Sequence, residues 1–157
     1  MKISISFLII FVSLIMSGFK SKQNSGSNIQ RFSDSINWSL YKNKVVVVNF
    51  WASWSKASRA ENKNLARIYQ KYKNNSKIVF ISVSLDTEET NWKSAISEDE
   101  MVWENHICDF KKYNSQMVKK HNVSSIPKII VFDKEGTMIS SAITVKEIEN
   151  SLAELAK

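Results

Sequence analysis

Thiols are nearly absent from this chain: Cys108 is the only cysteine in 157 residues. One thiol cannot close an internal disulfide or build a cysteine zinc centre, so neither device holds the fold together. A link between two chains is the one disulfide it could make. The two histidines, His106 and His121, have no metal-ligand spacing and no cysteine partners, which argues against a zinc site. Proline occurs once, at Pro127, and glycine three times, so the lone proline is a position to explain. No Gly-x-Ser-x-Gly elbow exists, and nothing near Ser55 in sequence supplies a base, which excludes a serine-nucleophile hydrolase. No basic block exists either. The formal net charge is +7, but Lys42, Lys44, Lys63, Lys71, Lys73 and Lys77 are spread along the chain and read as a solvated surface. Nucleic acid is not an expected partner, because that role needs a basic stripe with stacking or base-reading residues. The five tryptophans sit inside apolar patterns and suit a core.

What is present fits one globular domain behind a leader, at 43% hydrophobic and 24% charged residues. Lys2 precedes an apolar stretch, residues 3–16, broken only by Ser4, Ser6 and Ser13 and followed by Ser17-Gly18. This is a secretory signal pattern, short of the about 20 apolar residues of a membrane span. Met16 spoils a small-x-small cleavage site, so residues 1–18 read as a signal peptide or a short membrane anchor. Residues 19–28 read as a flexible polar tether, and residues 29–157 as the folded domain. Membrane association through the N-terminal segment follows, as does an exported protein of the periplasm or cell envelope.

Residues 35–41 look like a short helical or irregular lead-in. Residues 45–51 are apolar except for Asn49, the pattern of a strand buried on both faces. A helix follows over residues 57–73, with Leu65, Ile68, Tyr69 and Tyr72 on one face. Residues 78–85 form the next strand, and Asp86 to Glu89 can cap a helix through Trp92 and Ile96. The stretch holding Trp103, His106, Ile107 and Cys108 reads as irregular. A short helix is expected over residues 115–121, a hairpin over 128–133 and 137–143, and a closing helix over 146–156. Periodicity alone says α/β.

Four motifs say more. Val48-Asn49-Phe50-Trp51-Ala52-Ser53-Trp54 leaves the first strand. Arg59-Ala60-Glu61 follows the turn Ser55-Lys56-Ala57-Ser58. Ser84-Leu85-Asp86 ends the second strand. Asn122-Val123-Ser124-Ser125-Ile126-Pro127 precedes an apolar strand and Asp133-Lys134-Glu135-Gly136. Together they resemble the periplasmic thioredoxin-like proteins of the thiol–disulfide interchange type, the TlpA/ResA-like group, over residues 42–143. The resemblance implies a thioredoxin-like α/β fold with a central mixed β-sheet flanked by helices. It implies descent from proteins that move electrons between dithiols and disulfides of exported clients. It places Ser55 where the attacking cysteine stands and Ser58 where the resolving one stands. Pro127 takes the place of the cis-proline, with Ile126 before it. Asn49 stands where many thioredoxins keep a buried acid, and Glu61 matches a glutamate common near the motif. The leader likewise resembles a bacterial lipoprotein signal, with Phe19 where the lipid-bearing cysteine would be.

Disulfide exchange needs a thiolate to attack sulfur and a second thiol to release the mixed disulfide. A helix N-terminus can lower a cysteine pKa by several units, but a serine hydroxyl does not ionise near neutral pH and forms no stable bond to a partner sulfur. The chain is therefore expected to be redox-inert, without cofactor or metal. Its expected groove is Trp54, Ser55, Lys56, Ser58, Ile126 and Pro127, supported by Asn49 and Glu61, for an extended polypeptide or a partner protein domain. Two alternatives stand beside this. One is a thiol–disulfide oxidoreductase whose cysteines were lost or changed to serine. The other is one-cysteine redox chemistry at Cys108, whose neighbours suggest no electropositive pocket.

Overall fold

The structure, a computed structural model, describes residues 29–31, 36–142 and 144–155. The expected leader and the whole of the expected tether, residues 1–28, lie outside the described residues, as do Ser35, Ile143 and Ala156. Among the described residues no helix is long and apolar enough to cross a membrane.

The chain runs β1 (Ile29–Arg31), a 3-10 turn (Trp38–Tyr41), β2 (Val45–Trp51), α1 (Lys56–Tyr72), β3 (Ile78–Ser84), α2 (Glu89–Glu98), β4 (Asn105–Cys108), a second 3-10 turn (Lys112–Asn114), α3 (Gln116–Lys120), β5 (Lys128–Phe132), β6 (Met138–Ala142) and α4 (Val145–Leu155). The strands form one mixed sheet in the order β1-β4-β3-β2-β5-β6. β2 pairs parallel with β3 and antiparallel with β5, so it lies in the middle and is buried along its whole length. That is why its sequence is a continuous apolar run and not an alternating one.

The alternation reappears in which face each side chain serves. Val45, Val47 and Trp51 pack with Leu65 and Ile68 of α1 and Ile148 and Leu152 of α4. Val46, Val48 and Phe50 pack with Met117 and Val118 of α3. The sheet is thus sandwiched between two helical layers, as the expected fold class requires.

Two strands differ from the sequence reading. The stretch expected to be irregular contains β4, paired parallel with β3, and β1 pairs with β4. Both strands are too short, at three and four residues, to display a period. Cooperative pairing with β3 defines β4, and local propensity does not. The second correction concerns Asp86: α2 starts after Glu88, which makes no side-chain cap bond, and Asp86 is occupied elsewhere.

β1 to β4 and β6 share one direction and β5 opposes it. The carboxyl ends of β2, β3 and β4 and the start of β5 therefore meet at one end of the sheet, where open α/β sheets place their ligand sites.

Candidate functional site

At that end β2 gives way to the turn that carries both serines. Ser55 sits in an extended conformation as the N-cap of α1, and its Oγ accepts a hydrogen bond from the Ser58 N–H at 3.2 Å. Serine is a preferred cap because its oxygen satisfies one of the orphan amides of the first turn. Ser58 is fully buried, and its Oγ has no hydrogen-bond partner among the described residues. Trp54 projects outward, 55% exposed, and Lys56 and Ala57 are exposed beside it.

Asp86 fixes this turn. Its buried carboxylate accepts from the Ser53 N–H at 3.0 and 3.2 Å, from the Ser53 hydroxyl at 2.6 Å and from the Ser84 hydroxyl at 2.6 Å. Leu85 also donates its N–H to the Trp51 carbonyl at 2.8 Å. The residue just before Trp54 is thereby tied to the end of β3. The sequence marked Asp86 as part of a motif but gave no sign of this role, since its partner lies 33 residues away.

The second wall comes from the start of β5. Phe50 pairs with Lys128, so Pro127 and Ile126 arrive beside the β2–α1 turn. The Ile126–Pro127 peptide bond is cis; Pro127 is buried and Ile126 half-buried. Behind them Lys128 Nζ donates to the carbonyls of Asn122 at 3.1 Å and His121 at 3.5 Å, which anchors the loop. Trp54, Ser55, Lys56, Ser58, Ile126 and Pro127 thus converge on one end of the sheet.

The two supporting residues do different things. Asn49 lies beneath the turn and starts a polar chain. Its Nδ2 donates to Asn62 Oδ1 at 2.8 Å, and Asn62 Nδ2 donates to Asp99 Oδ2 at 3.0 Å. Arg59 Nε donates to the same oxygen at 2.5 Å and its second nitrogen pairs with Glu98 at 2.8 Å. The hydrogen bond to Asp99 raises the Arg59 pKa. This chain staples β2, α1 and the end of α2. Asn62 was visible in principle, as a polar residue on the stripe Ser58, Asn62, Leu65; Asp99 carried no local signal. Glu61 reaches the start of α4: its Oε2 accepts from the Val145 N–H at 2.9 Å and so caps that helix.

Neither histidine is bonded to either serine. His106 is buried, with Nε2 3.1 Å from the Met101 carbonyl oxygen, and stacks on Trp103. Burial lowers its pKa to about 4. His121 packs against Phe50 and Phe132, and burial lowers its pKa too. Neither histidine is therefore a general base for Ser55. Cys108 is fully buried, with Sγ 3.6 Å from the Asp86 carbonyl oxygen. Burial pushes its pKa up to about 11, whereas reactive thiols are exposed and acidic. Among the described residues no group of acids, histidines and cysteine could hold a metal ion.

A mixed sheet between helical layers, a helix-capping turn after the central strand and a cis-proline loop opposite it define the thioredoxin-like class. A thioredoxin-like family model matches residues 43–138, and the chain belongs to that family. It is 25% identical over 119 residues to the thiol-disulfide oxidoreductase ResA of Bacillus thuringiensis. That match covers 74% of this chain and only 64% of the relative's length. Among solved structures it is similar to a C-terminal domain assigned to a thiol-disulfide oxidoreductase from Bacteroides thetaiotaomicron. There the identity is 33% and the TM-score 0.68, over 73% of this chain and 78% of that one. A thiol-disulfide oxidoreductase from Bacteroides fragilis gives 28% and 0.69, over 79% and 88%. The family is that of thiol-disulfide oxidoreductases, and this member carries Ser55 and Ser58 at the turn.

Proposed function

We propose that this protein is a redox-silent thioredoxin-like module that docks an extended polypeptide, or a partner domain presenting one, beside the β2–α1 turn, at the cell envelope. One observation carries the reading. An exposed tryptophan, Trp54, stands at a turn whose two reactive positions hold hydroxyls. Exchange chemistry has no atoms to run on there, since it proceeds through a thiolate and a mixed disulfide. The surface that would hold a client needs no sulfur. A tryptophan offers a large rigid platform of the kind that dominates docking energetics. Ile126 lies just outside β5, where pairing with β2 has ended, which supports its main chain as the edge that an added strand takes in this reading. The envelope location rests on the apolar leader read in residues 1–18. Reactivity at Cys108 finds no support, because the thiol is buried and its pKa is raised.

Calorimetric titration of the full chain with a cysteine-free extended peptide tests the docking half. Saturable binding that Trp54→Ala weakens about tenfold is the expected result. Binding indifferent to Trp54→Ala, or no binding by any peptide of a varied panel, overturns it.

A further inference from the structure

We infer that the segment this groove takes is acidic: an extended polypeptide with an apolar residue on Trp54 and Asp or Glu side chains against the wall between β4 and β5. The inference rests on the docking reading above and deepens it. That wall is residues 109–128, which contain five lysines and one acid. The acid, Asp109, does not offset them at the surface: it is buried, and its Oδ1 accepts from the Lys111 N–H at 3.1 Å. Lys112 and Lys119 are exposed. Lys119 lines a shallow cleft of about 500 Å³ with Tyr113, Val118, Val123 and Ser124. Tyr113 is 41% exposed there, and Ser124, on the cleft's lining, is two residues ahead of Ile126, so the backbone joins the cleft to the cis-proline loop. Lys128 adds a cation at the loop's base, held by the His121 and Asn122 carbonyls. Across the groove Lys56 stands exposed in the first turn of α1.

Besides the buried Asp86, whose carboxylate is taken up by the Ser53 N–H and the Ser53 and Ser84 hydroxyls, the acids at this end sit on the third side, where α2 begins. Glu88 is exposed, and Glu89 pairs with Lys93 at 2.8 Å. A peptide lying along the β4–β5 wall therefore meets an aromatic and aliphatic floor edged by cations. Charge of this kind selects and steers partners more than it tightens them. Each exposed pair is worth about two- to fivefold in affinity, and the effect is screened by salt.

The test is fluorescence anisotropy of the full chain with three dye-labelled peptides of one length. Each has a central Leu-Ile flanked by Glu, Gln or Lys. The expected order is Glu, Gln, Lys, with about tenfold between the first two at low salt, shrinking at about 0.5 M salt. Lys112→Gln with Lys119→Gln, both exposed and checked by circular dichroism, should weaken the Glu peptide about fivefold. Equal binding of the Glu and Gln peptides, still abolished by Trp54→Ala, overturns the acidic inference and leaves the docking reading standing. Binding of anionic vesicles tighter than of the Glu peptide also overturns it. No binding by any peptide removes the docking reading and this inference with it.

Discussion

Ser58 offers the sharpest physical test of the site. Its side chain is fully buried in the first turn of α1 and its hydroxyl has no partner among the described residues. An unsatisfied buried hydroxyl costs about 1–3 kcal/mol. A thiol at the same place costs far less, because cysteine behaves as a small hydrophobe with a weak donor. The pocket around position 58 is therefore better suited to sulfur than to the oxygen it holds. Ser58→Ala removes the hydroxyl, leaves only a small void, and gains helix propensity of a few tenths of a kcal/mol. The expected outcome is neutral to stabilising by about 2 kcal/mol, and Ser58→Cys should stabilise by a similar amount. Urea unfolding followed by circular dichroism reads this as a higher midpoint at unchanged slope. Destabilisation by more than about 1 kcal/mol in Ser58→Ala would mean the hydroxyl is satisfied in the folded protein, and the reasoning would be wrong.

Asp86→Ala should cost roughly 3–5 kcal/mol, because it strands the Ser53 amide and two hydroxyls in a buried site; calorimetry should record a melting point lower by about 10 °C or more, and a shift under about 3 °C would show the clamp is idle. The His106 pKa is about 4 in the fold against about 6.5 unfolded, so the unfolded chain binds the proton first as pH falls. Stability should be complete above about pH 6.5 and decline by roughly 3 kcal/mol toward pH 4, with His121 adding in the same direction; urea melts at intervals across that window check it, and a flat profile would contradict it. Cys108 should resist iodoacetamide at pH 8 in the folded chain and react promptly in urea, and rapid labelling of folded protein would refute its burial.

Much of this architecture is legible in residue order because long elements have periods. β2 and β3 are each seven residues of nearly unbroken apolar character, and α1 shows a clear stripe. β4 and β1 were not legible, since three or four residues cannot establish alternation and their register is set by neighbours far along the chain. The turn was legible through its motif. Its fastenings were not. The Asp86 clamp spans 33 residues and the Asn62–Asp99 link 37, and nothing local announces either. The lysines of residues 109–128 looked like more scattered surface charge. They count together only in the docking inference drawn above, because the segment leaves the carboxyl end of β4 and returns at the start of β5, at one end of the sheet.

Sulfur is absent from the turn of this thioredoxin-like scaffold, where Ser55 and Ser58 stand. Insulin reduction by dithiothreitol, followed by turbidity, tests this directly with the unaltered chain beside Ser55→Cys/Ser58→Cys. The prediction is that the unaltered chain stays at the uncatalysed rate and the double variant accelerates the reaction. Catalysis by the unaltered chain that disappears in Ser55→Ala would contradict it.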